Sequence, residues 1–232
     1  MENQKLTACV RLLAALFMGL AISAITLKAS VIIQISEPRL PWISGFITHT
    51  FMWILSVSIA LFLTKGELKN YGFTRGKFQL SGRIFLWVIP MAILSVIGFF
   101  ASRSGQDVKG GFGLSHLQDI IFVWIYASIA EEVFTRGLLQ SYLSPLARYG
   151  INLSKELRLS LPVLFSGLFF GMMHIVAIDK MGPPVIIFTS ALGIIAGYYR
   201  EKTESLIPAI IIHALFNIGG MLPMWLLTWL LQ

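Results

Sequence analysis

The sequence is a succession of apolar runs, each close to the length of a membrane span and separated from the next by a short polar loop. A bilayer core accommodates about 20 apolar residues per helix, so these runs can be buried in lipid as helices. Charged residues make up 12% of the 232 residues, against about 25% in soluble proteins. The sequence therefore predicts an all-α, polytopic integral membrane bundle, with residues 1–232 forming a single membrane domain. The apolar runs are Leu12–Leu27, Trp42–Leu63, Ile84–Phe100, Leu117–Leu143, Leu161–Ile178, Pro184–Tyr199, Leu206–Ile218 and Met221–Leu231.

These runs predict about eight transmembrane segments, the last of them short. Residues 1–116 contain the first three spans, and residues 117–220 contain the spans with the polar residues discussed below. Gly219, Gly220 and Pro223 are expected to separate the last run from its predecessor, because glycine and proline interrupt helices.

Basic residues are distributed unevenly between the two sides of the predicted bundle. With the N-terminus inside, thirteen of the eighteen lysines and arginines lie on the inner side. This bias predicts a cytoplasmic N-terminus, in the cell membrane if the source is prokaryotic. Topology and anionic lipid explain the net charge of +7, and no nucleic-acid partner is expected. The first run could instead be a signal peptide ending at Ala21-Ile22-Ser23, but the charge topology favours a retained segment.

The run Leu117–Leu143 contains Glu131, Glu132 and Arg136, where a lipid-facing helix should carry no charge. A charge at mid-bilayer costs about 3 to more than 10 kcal/mol, so function is the default explanation. Adjacent glutamates point to different sides of a helix, whereas Glu132 and Arg136 are one turn apart and can pair. This pairing leaves Glu131 to face a cavity, although a purely structural ion pair is an alternative. The spacing alone leaves open which glutamate is the base.

A second polar face lies on the fifth run. Gly167, Gly171 and His174 fall at i, i+4 and i+7, so another helix can approach closely beside the histidine. Phe170 lies one turn before His174 and can pack on its ring. The stretch Gly193–Gly197 on the next run predicts helix packing with no chemistry of its own.

A third polar face lies on the seventh run, where His213 and Asn217 are one turn apart. His49 and His116 lie near predicted span ends, and an interfacial position is expected for both. Taken singly, a membrane histidine or asparagine is more often a hydrogen-bonding residue between helices. A carboxylate, two histidines and an asparagine on three inward faces nevertheless fit one shared polar cavity.

A glutamate with two histidines can hold a metal ion or activate water directly. Zn²⁺ is a possible cofactor, because zinc hydrolases combine histidine and carboxylate ligands; Glu131, His174 and His213 would then be the ligands. In the metal-free alternative Glu131 is the general base, helped by His174, while His213 and Asn217 donate to the developing oxyanion. Both alternatives add water to a carbonyl and so describe peptide-bond hydrolysis. The sequence lacks a Gly-x-Ser-x-Gly elbow, which disfavours a serine nucleophile.

Three blocks occur in order on predicted membrane helices: Glu131-Glu132-x-x-x-Arg136, Phe170-x-x-x-His174 and His213-x-x-x-Asn217. They resemble the CAAX prenyl endopeptidase type II family, or CPBP group, which also includes bacteriocin-processing, bacteriocin-immunity and lysostaphin-resistance-type proteins. The resemblance implies an eight-helix intramembrane protease whose site opens toward the cytosolic leaflet. It also implies that the first glutamate and the first histidine activate water, that the second histidine and the asparagine support the oxyanion, and that the other named residues have supporting parts.

The sequence thus predicts an intramembrane endopeptidase, a hydrolase of metalloprotease or glutamate type. Its substrate would be a membrane-associated or prenylated (CAAX-type) protein or peptide, cleaved near the cytosolic face. Compact loops leave no soluble recognition domain, so the substrate is expected to arrive through the lipid bilayer. One alternative is a non-catalytic bacteriocin-immunity or scaffold protein of the same fold. The other is a proton-coupled transporter, because Glu and His chains also serve as proton relays.

Overall fold

The computed structural model describes residues 2–36, 40–79, 114–177 and 183–230, together with six positions between residues 89 and 97. The described chain is mostly helical. The predicted run Ile84–Phe100 falls largely outside the described residues, apart from isolated positions such as the buried Met91. The six long helical segments are α1 (Glu2–Ser36), α2 (Pro41–Thr64), α3 (residues 116–142), α4 (Leu161–Met173), α5 (Pro184–Thr203) and α6 (Ile207–Leu230).

Two of the described helices are long and apolar enough to cross a membrane: Lys5–Ser36 within α1 and Trp42–Thr64 within α2. α1 begins before the predicted run Leu12–Leu27 and ends after it. The residues before it include good helix formers such as Glu2, Lys5 and Leu6, and the residues after it include the apolar Val31, Ile32 and Ile33, so the helix continues on both sides. Phe17 is 74% exposed and Phe62 is 84% exposed, and large apolar side chains on an outer surface are stabilised by lipid rather than by water.

α3 is one continuous helical segment whose hydrogen-bonding pattern changes along its length. α-helical turns at His116–Gln118 and Ser128–Glu132 alternate with π-helical stretches at Asp119–Ala127 and Val133–Gln140. π-helical turns are rare and frequently lie at functional sites. The two adjacent glutamates therefore lie on a short α-helical turn between two π-helical stretches. On such a turn, adjacent side chains point to different sides of the helix.

Glycines bring α4 and α5 into close contact, as their spacing predicts. A Cβ atom added at Gly167 would lie 2.7 Å from the backbone nitrogen of Ile194, and one at Gly171 would lie 2.7 Å from the carbonyl oxygen of Ile186. α4 begins where the Ser160 hydroxyl accepts a hydrogen bond from the backbone N–H of Val163. The packing prediction for these glycines is confirmed.

α6 is a single helix of 24 residues, so the predicted break at Gly219, Gly220 and Pro223 is wrong. The seventh and eighth predicted runs form one helix. Proline removes one backbone donor and bends a helix, but the helix can continue beyond it. Local propensity is a weak guide that tertiary context overrides.

The loop between α3 and α4 contains a short hairpin that the all-α prediction lacked. β1 (Gly150–Asn152) pairs antiparallel with β2 (Arg158–Ser160). A Cβ atom at Gly150 would lie 2.2 Å from the carbonyl oxygen of Leu159, so the close approach of the two strands requires glycine there.

Two apolar clusters hold the bundle together on either side of α4. The first joins α1, α2, α3 and α4 around Phe134, Leu138 and Phe169. The second joins α4, α5 and α6 around Phe170 and Leu192. Because α3 packs between these helices, its polar residues are carried into the interior.

Candidate active site

Three helices meet at a group of five ionisable side chains, which we call the carboxylate centre. Its members are His49 from α2, Glu131, Glu132 and Arg136 from α3, and His213 from α6. Glu132 and Arg136 are completely buried, whereas the Glu131 side chain is 15% exposed and the His49 side chain 20%. Glu132 is thus shielded from the surroundings, whereas Glu131 is partly accessible.

Glu132 accepts two hydrogen bonds at the same oxygen. Arg136 Nη1 and His213 Nδ1 each donate to Glu132 Oε1 over 2.9 Å. The predicted pairing of Glu132 with Arg136 is therefore present. The guanidinium also lies over the ring of Phe170, 4.7 Å from its centroid. Glu132 Oε2 and Arg136 Nε and Nη2 have no hydrogen-bond partner in the described part of the chain.

Glu131 contacts a different histidine. His49 Nε2 lies 3.0 Å from Glu131 Oε1, and His49 Nδ1 donates to the carbonyl oxygen of Gly45 over 2.7 Å. The other carboxylate oxygen, Glu131 Oε2, is 3.7 Å from His213 Nε2, too far for a hydrogen bond. His49 was expected only at a span end; α2 packs on α3 and turns this side chain toward Glu131. Its place inside an apolar run, the signal that singled out His174, could have identified it.

His116 lies at the exposed first turn of α3, as expected of a residue near a span end. A capping box forms there, in which Ser115 Oγ accepts from the Gln118 backbone N–H and the Gln118 side chain accepts from the Ser115 backbone N–H. This cap starts the helix that carries both glutamates. His116 is thereby separated along α3 from the carboxylate centre.

His174 lies where α4 ends and a 3₁₀ turn, His174–Ala177, begins. Its Nδ1 donates to the carbonyl oxygen of Phe170 over 2.9 Å, and its ring packs against the Phe170 ring at 4.8 Å between centroids. His213 contacts the same ring at 5.3 Å. The predicted packing of Phe170 on His174 is confirmed, and Phe170 separates the two histidines.

Asn217 also faces α3, one turn beyond His213. Its side-chain nitrogen donates to the carbonyl oxygen of Val123 over 3.1 Å and to Ser128 Oγ over 3.2 Å. An amide group has two N–H donors, and both are used here. In this geometry Asn217 joins α6 to α3 and has no N–H left for an oxyanion.

Glu131, His174 and His213 are the predicted metal ligands. Among the described residues, no three His, Cys, Asp or Glu side chains are arranged to hold a metal ion. The Nδ1 atoms of His174 and His213 are hydrogen-bonded to Phe170 and Glu132, which leaves each Nε2 available. A hydrogen bond at one imidazole nitrogen is the usual support of a histidine that binds a metal through the other nitrogen. The zinc alternative therefore stays a prediction.

Two adjoining apolar cavities lie beside the carboxylate centre. The larger has a volume of about 430 Å³ and the smaller about 260 Å³; they share Trp53 and Ile129. The smaller cavity is also lined by Ala130, the residue before Glu131. An apolar path therefore leads to the backbone next to the exposed carboxylate. The larger cavity is lined by Trp53, Gly72, Phe73, Thr74, Ile129, Val133, Leu206, Ile207 and Ile210.

Residues 113–219 match the family model described as Type II CAAX prenyl endopeptidase Rce1-like. The family resemblance is confirmed. The match contains all three blocks on which the resemblance was based, and the Rce1-like family is a membrane-embedded protease family. Neither a search of curated proteins nor a search of solved structures returns a significant match. Four of the five residues of the carboxylate centre lie in this Rce1-like segment, and His49 lies outside it.

Proposed function

We propose that the protein is an intramembrane endopeptidase that hydrolyses a peptide bond in a membrane-associated or prenylated (CAAX-type) protein or peptide. The observation that carries the proposal is the environment of Glu131. This carboxylate is partly exposed, lies within 4 Å of His49 and His213 and belongs to the Rce1-like segment. A charged side chain inside a membrane bundle costs free energy, so its presence points to a function.

Glu131 is the general base in this proposal. Its Oε1 is held by His49, so Oε2 is the oxygen available to a water molecule. The water attacks the scissile carbonyl carbon and transfers one proton to Oε2, which returns it to the leaving amine as the C–N bond breaks. His174, on the other side of the site, helps to orient the water.

His213 stabilises the oxyanion in this proposal. Its Nδ1 donates to Glu132, so the imidazole is held with Nε2 toward Glu131. In this proposal Nε2 donates a hydrogen bond to the oxygen that becomes negative when water adds. Asn217 is a positioning residue, since it fixes the helix that carries His213.

The substrate is proposed to approach through the bilayer. Both cavities are lined mainly by apolar side chains, and the smaller one reaches Ala130, the residue before Glu131. An apolar segment or lipid-modified end of a substrate could occupy them while the scissile bond reaches the carboxylate. The excess of basic residues on one side supports a cytoplasmic N-terminus and cleavage near the cytosolic face.

The proposal is tested with purified protein and a farnesylated fluorogenic peptide that ends in a CAAX sequence. We expect Glu131→Gln to lower kcat by about 10²–10⁴-fold, the usual contribution of a general base, with unchanged thermal stability. Glu156→Gln, at an exposed hairpin position, is the matched control and should cleave like the wild type. Full activity of Glu131→Gln would overturn the mechanism.

Metal analysis of the same samples tests the metal-free mechanism. We expect substoichiometric zinc and undiminished cleavage in the presence of a strong chelator. One zinc ion per chain that is lost in His174→Ala would establish the zinc alternative instead. In cells, a phenotype that survives both Glu131→Ala and His174→Ala at normal expression would favour a non-catalytic immunity or scaffold role. Proteoliposome flux that stops when the proton gradient is dissipated would favour a transporter.

A further inference from the structure

Among the described side chains, His49 makes the shortest contact to the Glu131 carboxylate, with 3.0 Å between Nε2 and Oε1. It nevertheless belongs to a helix outside the Rce1-like segment. The match to the family model begins at residue 113, whereas His49 lies on α2. The second helix therefore adds a side chain to a site whose other members come from the matched segment. This contact is seen only in the tertiary structure and was not predicted from the sequence.

We propose that His49 is a positioning residue that holds the Glu131 carboxylate by one oxygen and so presents the other oxygen to water. The inference rests on the proposed function and adds a residue to it. A carboxylate on a flexible glutamate side chain can rotate about its last bond, which exchanges the two oxygens. A hydrogen bond to Oε1 stops that rotation and leaves Oε2 directed toward His213.

The hydrogen-bond partners determine which ring nitrogen donates to the carboxylate. The carbonyl oxygen of Gly45 can only accept, so His49 Nδ1 must carry a hydrogen. The 3.0 Å contact between Nε2 and Glu131 Oε1 also needs a hydrogen between the two atoms. With Glu131 ionised as the base, that hydrogen is on Nε2, and His49 donates at both nitrogens.

The surroundings hold the imidazole in place. The ring lies edge-on to Tyr126 of α3, with 6.4 Å between centroids. The next residue of α2, Thr50, is hydrogen-bonded to the Tyr126 hydroxyl over 2.6 Å. α2 is therefore joined to α3 directly beside His49, which keeps the backbone of this residue close to the carboxylate.

Two amide substitutions separate the two hydrogen bonds of His49. The side-chain nitrogen of glutamine can occupy the position of Nε2, whereas that of asparagine corresponds to Nδ1. His49→Gln therefore keeps a donor to Glu131, and His49→Asn keeps only the donor to Gly45. Misplacing a catalytic group by about 1 Å can cost about 10²-fold in rate, so we expect His49→Asn to lower kcat by about 10–100-fold. We expect KM to change little and His49→Gln to recover most of kcat.

The control is Thr48→Val, which removes a hydroxyl bonded within α2 to Ser44 and leaves His49 in place. Its kcat should equal that of the wild type, and thermal unfolding of all four proteins should coincide. A wild-type kcat in His49→Asn, or an equal loss in both amide variants, would overturn the inference. The proposed function fails separately: an active Glu131→Gln overturns both proposals, whereas an inactive Glu131→Gln with a fully active His49→Asn overturns only this one.

Discussion

Helix α3 carries two buried polar groups that differ in how completely they are paired. One is the carboxylate centre, and the other, further along the helix, is a group that we call the polar layer. Gln140 of the polar layer donates to the carbonyl oxygen of Gly197 over 2.9 Å and accepts from Ser166 over 3.2 Å. Arg200 donates to Ser141 over 2.6 Å. The polar layer consists of Gln140, Ser141, Ser166 and Arg200.

The polar layer joins helices, whereas the carboxylate centre holds more polar atoms than its partners satisfy. Among the described residues, Arg200 Nε is the only side-chain atom of the polar layer that is buried without a hydrogen-bond partner. In the carboxylate centre, three atoms of Glu132 and Arg136 are buried and unpaired among the described residues, and Glu131 is partly exposed. Buried polar groups without hydrogen-bond partners destabilise the folded state, and in a native protein they can indicate a functional role. We therefore expect the polar layer to contribute to stability alone, and the carboxylate centre to carry the chemistry.

The largest expected effect on stability is in the buried ion pair of the carboxylate centre. Arg136→Met leaves Glu132 buried without its counter-ion, which should cost about 3–5 kcal/mol. The double variant Glu132→Gln/Arg136→Met removes both charges and should recover much of that loss. Thermal unfolding in lipid or detergent measures both, with Lys155→Met as an exposed control. Equal unfolding temperatures for Arg136→Met and the wild type would mean that the pair is not a structural element.

A smaller effect is expected where the α4–α5 contact reaches the carboxylate centre. A Cβ atom at Gly193 would lie 2.8 Å from Arg136 Nη2 and 2.8 Å from the Cα atom of Gly167. Gly193→Ala should therefore destabilise by about 1–3 kcal/mol through overpacking, and should also lower kcat by displacing the guanidinium. Gly45→Ala is the matched control, because nothing lies within 4 Å of its added Cβ. A neutral Gly193→Ala would show that the two helices can separate freely.

The polar layer should affect stability without affecting catalysis. Gln140→Leu leaves the Gly197 carbonyl without its donor, while the Ser166 hydroxyl keeps only the Val163 carbonyl as acceptor, and should cost about 1–3 kcal/mol. Gln140→Leu/Ser166→Ala removes two of the three partners and should cost less than the two single substitutions together. The kcat of the folded fraction should stay at the wild-type value in each case. A loss of kcat in Gln140→Leu would extend the active site into the polar layer.

The smallest effect is expected at an exposed ion pair that contrasts with the buried one. Lys77 pairs with Glu204 in the polar loops and lowers the pKa of that carboxyl below its ordinary value of 4.5. A lowered folded-state pKa means that the pair stabilises the fold above pH 4.5 and that this contribution is lost as the pH falls through the lowered pKa. Lys77→Met should therefore lower the unfolding temperature slightly at pH 7, less so in high salt, and not at pH 2. A large salt-independent loss would contradict this description.

Local features of the sequence predicted much of the fold. The bounds of α2 and the first residues of α4 and α5 agree closely with the predicted apolar runs, whereas α4 ends before the end of its run and α5 continues beyond its own. The close approach of α4 to α5 follows from Gly167 and Gly171, because small residues at helical spacing leave a groove. The pairing of Glu132 with Arg136 follows from their separation by one helical turn. Each of these predictions depends only on residues that are near one another along the chain.

Predictions that depended on distant residues were less successful. The break expected in α6 does not occur, and the helix continues through this stretch to Leu230. The inward position of His49 was missed, because it depends on α2 lying against α3. The two donors of Asn217 were assigned to an oxyanion, whereas α3 occupies both of them.

The sequence by itself determined that this protein is an apolar helical bundle with charges on one helix, histidines on two others and the blocks of a protease family. Composition and helical periodicity are local properties, so they can be read without knowing which helices touch. Only the tertiary structure decided that Glu132 is completely buried and that Glu131 stays partly exposed. It also decided that α2 supplies His49, since the choice of partner for a buried charge depends on which helices pack around it.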